Sequence, residues 1–245
     1  MIHFFKPKPF LQDFIPDDYV DIHSHLLPGI DDGATNIATT EKLILELENL
    51  RFNKFITTPH IISDVWNNSR KSIQEKEKKT IDELQNFNLE NRFKAAAEYM
   101  IDSQFRELFT KEPLLTLRDN YVLVEISYLS PPIQLYETLF ELQTHGYKPV
   151  LAHPERYNFY HYNLNEYTKL KNAGCSFQLN MLSSTGYYGP KVAKIADYLL
   201  ENRMIDFIGS DVHHNRHIDY IRKKVVLKNH QLLTDVFQNN SFFDF

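Results

Sequence analysis

The chain has 245 residues, and its 42% hydrophobic content is enough to bury one large core. Its 27 basic and 32 acidic residues leave a net charge of −5, so it lacks the lysine and arginine excess with which proteins bind a nucleic-acid backbone. We therefore expect no nucleic-acid partner. We predict a single domain over 1–245, divided into an N-terminal extension (1–18), a barrel (19–214) and C-terminal helices with a tail (215–245).

The sequence also bears on location. The only cysteine, Cys175, cannot form an internal disulfide, which is typical of a reducing compartment. The first residues, MIHFFKPKPFLQDF, mix aromatics with prolines and lysines and do not resemble a signal peptide. No run of eighteen apolar residues occurs that would predict a membrane span. We expect a cytoplasmic protein without membrane insertion.

Seven β-rich segments alternate with helical patterns along the chain, which predicts parallel strands joined by crossover helices. Segments such as YVLVEI are apolar on successive residues, as expected for strands covered on both faces. The strands are predicted at 19–25, 54–60, 93–100, 121–128, 149–153, 176–181 and 206–211. Helices are predicted after Thr35 and at 69–87, 133–144, 164–173 and 190–202. Seven strand–helix units indicate a closed or nearly closed α/β barrel.

The apolar tail NNSFFDF has two interpretations. It can pack on the barrel, or it can be a peptide that docks elsewhere. We favour packing on the barrel.

Histidines and acids lie where the predicted strands end, apart from one acid in the loop after the first strand. In a parallel barrel these ends share one face, on which such folds build their active sites. The nine residues are His23, His25, Asp32, His60, Glu98, Glu125, His153, Asp211 and His213.

Each of these residues also has a purely structural interpretation. His23 and His25 are two apart and project to the same side of a strand, but this pair alone is equally consistent with structural histidines. Of Asp31 and Asp32, one can cap the following helix while the other binds metal, and spacing does not choose between them. Glu98 and Glu125 lie in apolar strands with no basic residue nearby, which favours a metal over a salt bridge.

The mixed ligand set narrows the choice of ion. Histidine with carboxylates suits manganese, iron or zinc, and the absence of cysteine ligands argues against a closed structural zinc site. Glycine-rich phosphate loops and dinucleotide fingerprints are absent from the sequence. The nine residues together therefore predict a centre for divalent cations.

The strings DIHSHLLPGIDDGA, TPH, AEY, LAHPERY and GSDVHH resemble, in order and spacing, a family of bacterial protein-tyrosine phosphatases. That family belongs to the polymerase-and-histidinol-phosphatase (PHP) superfamily and acts in capsule and exopolysaccharide synthesis. The resemblance covers about 19–214. It implies a distorted (β/α)7 barrel of the PHP fold and three divalent ions, usually manganese. It also implies hydrolysis of phosphotyrosine on a bacterial tyrosine kinase by a metal-bound hydroxide.

The resemblance also implies individual roles. A first ion would be held by His23, His25, Glu98 and Asp211; Glu98 would bridge to a second held by Glu125 and His153; and a third would be held by Asp32, His60 and His213. Three such ions and four carboxylates leave a net charge of about +2 to attract phosphate.

Two arginines are assigned by the resemblance, and the proton donor is a hypothesis drawn from the mechanism. Arg156 resembles the family's phosphate-contacting arginine, although an arginine after a strand can also pair with a surface acid. Arg216 is assigned as a second phosphate contact. Asp211 or His213 is assigned to proton transfer to the leaving oxygen.

Competing functions remain open at this level. The same barrel and ions serve phosphatases of small metabolites such as histidinol phosphate, and a metal-binding module without turnover is a third possibility. Cysteine-based phosphatase chemistry is disfavoured, because Met181 stands where the arginine six residues after Cys175 is needed. The first eighteen residues depart from the family pattern, and FFKPKPF can cover the barrel or contact a partner. Homo-oligomer formation is left open.

Overall fold

The computed structural model describes residues 7–245, in which parallel strands alternate with helices. The strands are β1 Tyr19–Asp21, β2 Phe52–Thr57, β3 His60–Ile61, β4 Phe93–Ala95, β5 Glu98–Met100, β6 Tyr121–Glu125, β7 Lys148–Ala152, β8 Ser176–Asn180 and β9 Phe207–Gly209. The α-helices are α1 Ile37–Glu48, α2 Arg70–Glu83, α3 Phe105–Lys111, α4 Leu135–Thr144, α5 Asn165–Asn172, α6 Met181–Ser184, α7 Pro190–Glu201, α8 Asn215–Ile221 and α9 Leu233–Asn239.

The strands occupy seven positions around a barrel, as predicted. One sheet has the order β1-β2-β4 and the other the order β3-β5-β6-β7-β8-β9. The predicted strands 54–60 and 93–100 are each split, because Pro59 has no N–H to donate. Pairing continues across the split, since Ala96 N donates to Thr57 O at 2.8 Å and Glu98 N to Pro59 O at 3.1 Å. The α/β barrel is confirmed, with shorter strands than predicted.

Two helical features differ from the prediction. Helix α3 was not predicted, because its seven residues are too few to show a clear helical period. Met181, predicted to end a strand, instead begins α6, where the Asn180 side chain accepts a hydrogen bond from Leu182 N. Asn180 therefore ends the strand by capping the helix.

The barrel closes between its first and last strands through side chains and a single backbone bridge. Ser24 and Val212 form an isolated parallel bridge just beyond β1 and β9. Below it, the Asp21 carboxylate accepts hydrogen bonds from Ser210 N at 2.9 Å and Ser210 Oγ at 2.6 Å. The Asn240 amide donates to Val20 O at 2.9 Å and Ile208 O at 2.7 Å. The joint between the first and last strands is therefore held mainly by polar side chains, together with the one backbone bridge.

The C-terminal tail fills the end of the barrel at which the strands begin. The Phe243 ring lies edge-on to Tyr121 and Phe207, the first residues of β6 and β9, with centroid distances of 5.8 and 4.7 Å. Phe243 is fully buried in a cluster with Val20, Ile22, Ile56, Ala96, Leu117, Leu123, Val150 and Ala152. The prediction that the tail packs on the barrel is confirmed.

The described part of the N-terminal extension is also docked. In the FFKPKPF segment, residues 4–6 lie outside the described residues. Pro9 O accepts a hydrogen bond from Val225 N, Leu11 N donates to Lys223 O, both at 2.9 Å, and the Leu11 side chain is fully buried. These contacts hold the extension against the segment that follows α8. In 7–245 no helix has the length and apolar character needed to span a bilayer.

Candidate metal centre

The nine predicted residues converge at the end of the barrel where the strands finish. His23, His25, Glu98 and His153 are fully or almost fully buried, whereas the Asp32 side chain is 55% exposed at the rim. Glu98 lies at the centre: its Oε2 is 3.3 Å from His23 Nε2 and 3.1 Å from His60 Nδ1, and its Oε1 is 3.0 Å from His153 Nε2. The structure therefore brings the predicted residues together.

Four overlapping groups of these side chains could each hold an ion, because their donor atoms lie within 4.8 Å of one another. The groups are His25–Asp32–His60–His213, His23–Glu98–His153, His23–His25–Asp211 and His60–Glu98–Glu125. The overlap at Glu98 agrees with a bridging role. His60 sits with Glu98 and Glu125 as well as with Asp32, which extends the role implied by the family resemblance.

The donor set fits divalent cations better than it fits a hydrogen-bonded polar core. His60 Nδ1, Glu98 Oε2 and Glu125 Oε1 are buried and lack a hydrogen bond of acceptable geometry in the described chain. Unsatisfied buried carboxylate oxygens are costly, and a shared cation removes that cost. Spacings of 3.0–3.6 Å between donor atoms also suit ligands that each lie about 2.0–2.2 Å from one ion.

The pKa values of the clustered histidines and glutamates also indicate that positive charge is favoured there. Burial alone would lower the pKa of His23, but the Glu98 and Asp211 carboxylates outweigh it and raise the pKa to about 9. Burial opposes ionisation of Glu98 too, yet His23 and His60 hold its pKa well below the usual range. The pKa of Glu125 is raised by burial and by the neighbouring Glu98 charge. The cluster therefore favours added positive charge.

Two polar residues fix the orientation of the first histidine pair. Asp31 Oδ2 lies 2.7 Å from His25 Nδ1, and Gln178 Oε1 lies 2.8 Å from His23 Nδ1. Both Nε2 atoms consequently face the cluster, where they are 3.4 Å apart. Such outer contacts set the tautomer and direction of a ligating histidine.

The two neighbouring aspartates, Asp31 and Asp32, have different roles. Asp31 orients His25, whereas Asp32 faces His60 and His213 at 3.5 and 3.4 Å. The cap of α1 is Asn36, whose side chain accepts from Thr39 N, so neither aspartate caps that helix.

Backbone geometry at the strand ends also serves the cluster. His153 and Asp211 have φ angles of 36° and 51°, a left-handed conformation that is uncommon outside glycine. His153 directly follows β7, Asp211 lies two residues after β9, and both side chains face the cluster. Gly209 allows a close approach, because a Cβ atom there would lie 2.6 Å from His23 Cβ.

Arg156 lies between the cluster and a neighbouring cavity. Its Nη1 donates to Asp211 Oδ2 at 2.8 Å, and its side chain is 20% exposed. The guanidinium carbon is 4.9 Å from the Tyr128 ring centroid and 4.2 Å from that of Tyr188. Arg156 thus pairs with a buried acid of the cluster and not with a surface acid.

Arg216 is placed differently. It lies on α8, with its guanidinium 5.6 Å from the Tyr187 ring, and it lines an open cavity with Asn36, Lys42 and His214. Its role as a phosphate contact stays a prediction. Gln178 and the tyrosines beside Arg156 were not predicted, because a glutamine or tyrosine in an apolar strand or loop carries no distinctive pattern.

The closed barrel and its histidine–carboxylate cluster define an α/β-barrel protein with side-chain groups that could hold metal ions. The family model described as "Capsular polysaccharide synthesis, CpsB/CapC" matches residues 19–234, so the chain belongs to that family.

Individual relatives agree with this assignment. The chain is 28% identical over 195 residues to the tyrosine-protein phosphatase YwqE of Bacillus subtilis (strain 168), covering 79% of this chain and 77% of that protein. It is 27% identical over 202 residues to the tyrosine-protein phosphatase CpsB of Streptococcus pneumoniae, covering 79% and 82%. A chain from the crystal structures of YwqE and CpsB, described as unique metal-dependent tyrosine phosphatases, matches with a TM-score of 0.79. That match has 25% identity and covers 91% of this chain and 93% of the other.

Proposed function

We propose that this protein is a metal-dependent phosphatase that hydrolyses phosphotyrosine on proteins, with a bacterial tyrosine kinase of capsule synthesis as its substrate. The observation that carries the proposal is the convergence of nine histidine and carboxylate side chains beside Arg156. The names of the relatives support phosphotyrosine over a small metabolite such as histidinol phosphate.

We propose three divalent ions, most favourably manganese, as the occupants of the cluster. Their ligands would be His23, His25, Asp32, His60, Glu98, Glu125, His153, Asp211 and His213. When bound, such ions polarise phosphoryl oxygens and lower the pKa of coordinated water.

The protein's own groups then bind and orient the phosphate. Arg156 uses one of its five N–H donors on Asp211, which leaves others to stabilise the equatorial phosphoryl oxygens. Asp31 and Gln178 hold the imidazole rings of His25 and His23 in a fixed orientation. We assign the delivery of a proton to the leaving tyrosyl oxygen to His213 or Asp211. His213 is the more exposed of the two side chains.

The experiment compares ligand and arginine variants of the metal-loaded chain. Glu98→Ala should abolish turnover of a phosphotyrosine peptide and lower the bound metal measured by elemental analysis. Arg156→Ala should keep the metal but lower kcat/KM by roughly 10²- to 10³-fold, the usual effect of removing a transition-state donor. Arg222→Ala, which breaks a half-exposed ion pair with Glu46, is the matched control and should change neither.

The outcomes separate the candidate functions. Strong turnover of histidinol phosphate with negligible release from phosphotyrosine peptides would make the protein a metabolite phosphatase. A metal-loaded chain that leaves phosphotyrosine and aryl phosphates intact at every pH would be a metal-binding module. Full activity of Glu98→Ala would refute the ligand assignment. Elemental analysis of protein purified without added metal would identify the ions.

A further inference from the structure

A cavity of about 470 Å³ borders the candidate metal centre on the side of Arg156. Its walls are Tyr128, Arg156, Asn158, Tyr188 and the start of α7, residues 189–192. The nine clustered residues do not line it. The cavity is therefore a separate space that shares one wall with the centre.

Arg156 is that shared wall. On one side its guanidinium pairs with Asp211, and on the other it lines the cavity. A phosphate bound to both the cluster and Arg156 would lie against this wall, and its ester group could extend past Arg156 toward the cavity. The cavity is thus within reach of the organic part of a bound phosphate ester.

The walls suit an aromatic ring. Tyr188 is fixed by a hydrogen bond between its hydroxyl and Asn180 Nδ2 at 3.1 Å, and the same amide group donates to Asp211 at 2.6 Å. The Tyr128 ring stacks on His153 with a centroid distance of 5.7 Å and an interplanar angle of 24°. Aromatic rings pack favourably on such held aromatic surfaces.

The cavity rim carries a cation. Lys191 lies in the first turn of α7, lines the cavity and is exposed. We propose that this cavity receives the tyrosine ring and adjoining peptide of the substrate, and that Lys191 selects an acidic residue next to the phosphotyrosine. The proposal rests on the proposed function and adds to it the sequence preference of the enzyme.

A second cavity offers an alternative path and supplies the control. It has a volume of about 660 Å³ and is lined by Asn36, Thr39, Lys42 and Arg216, among others, with no tyrosine or phenylalanine in its walls. Lys42 is exposed there, as Lys191 is in the first cavity. Lys42→Glu therefore makes the same charge change at the competing site.

The test measures kcat/KM of the metal-loaded full chain on three substrates. These are phenyl phosphate, a phosphotyrosine peptide flanked by glutamates and the same peptide flanked by lysines. We expect the unmodified protein to prefer the acidic peptide by about two- to fivefold, the range that one exposed charge pair supports. Lys191→Glu should abolish or reverse this ratio while phenyl phosphate turnover stays within about twofold, since that substrate has no flanking charge. Lys42→Glu should leave the ratio unchanged.

A cavity-filling variant tests the ring site separately. Asn158 is exposed, and its side chain can be enlarged without disturbing the core. Asn158→Trp should raise the KM for phenyl phosphate roughly fivefold or more by occupying ring space. Inhibition by inorganic phosphate, which needs only the cluster and Arg156, should stay within about twofold.

Each contrary result has a distinct meaning. If Lys42→Glu shifts the peptide ratio and Lys191→Glu does not, the peptide lies in the second cavity and the proposal is wrong. Equal turnover of both peptides by the unmodified protein refutes the charge selection, and an unchanged KM in Asn158→Trp refutes the ring site. If both phosphotyrosine peptides are still hydrolysed in these cases, the proposed function stands. Negligible release of phosphate from both phosphotyrosine peptides by the unmodified protein overturns the proposed function and this inference together.

Discussion

Replacing Phe243 by alanine tests whether the tail closes the lower end of the barrel. The side chain is fully buried and packs edge-on against Tyr121 and Phe207. Truncating a buried phenylalanine costs about 3–5 kcal/mol, because apolar contacts are lost and a cavity remains. For a chain of this length that loss corresponds to a fall in Tm of about 6–20 °C.

The measurement is thermal unfolding followed by circular dichroism, with turnover assayed well below the Tm. Phe242→Ala is the matched control, because that ring is 41% exposed and should cost under about 1 kcal/mol. Turnover by folded Phe243→Ala should be nearly normal, since the centre lies at the opposite end of the strands. Equal Tm values for the two variants would show that the tail does not stabilise the barrel.

Three further outcomes are expected. Gln178→Leu should weaken metal affinity by about 10- to 100-fold in a chelator competition. Gln178→Glu should retain an acceptor for His23 and most of the affinity. Equal metal affinities of the two variants would refute the orienting role of Gln178. Burial raises the pKa of Cys175 to about 12, so at pH 8 its thiol is protonated. Iodoacetamide should therefore label it slowly in the native protein and rapidly after unfolding, as measured by mass spectrometry, and Cys175→Ala should keep full turnover. Labelling at one rate in both states would contradict this. Gly209→Ala should lower both Tm and metal content because its methyl group meets His23. Gly146→Ala meets no atom within 4 Å, so backbone strain at its φ of 89° should cost about 1–3 kcal/mol and leave the metal content unchanged. Normal metal content in Gly209→Ala would be inconsistent with this packing.

The barrel was predictable because buried parallel strands leave continuous apolar runs, and parallel strands end on one face. The same rule predicts that His60, Glu98 and Glu125 lie together. The split after Ala95 was missed because the apolar run continues through Ala96 and Ala97, and the split at Pro59 because a single proline was counted within the strand. Helix α3 was too short to show a period.

The surroundings of the cluster were less predictable. Whether Asp31 or Asp32 turns inward depends on the fold of one loop around Gly33, where an added Cβ would lie 2.2 Å from His25 O. Gln178 acts through contact with a residue 155 positions away, so local sequence carries no sign of its role. Tyr128 and Tyr188 reach Arg156 from separate loops for the same reason.

The amide of Asn240 bonds to Val20 and Ile208, which are separated from it by 220 and 32 residues. During synthesis, every strand leaves the ribosome before this side chain does, so the strands can first come together without the Asn240 contacts. Closing the joint between the first and last strands requires contacts of very large sequence separation, which form slowly. Until then, the first and last strands are joined by the Ser24–Val212 bridge and the Asp21–Ser210 hydrogen bonds. Asn240 therefore completes a joint that residues of the strands themselves begin.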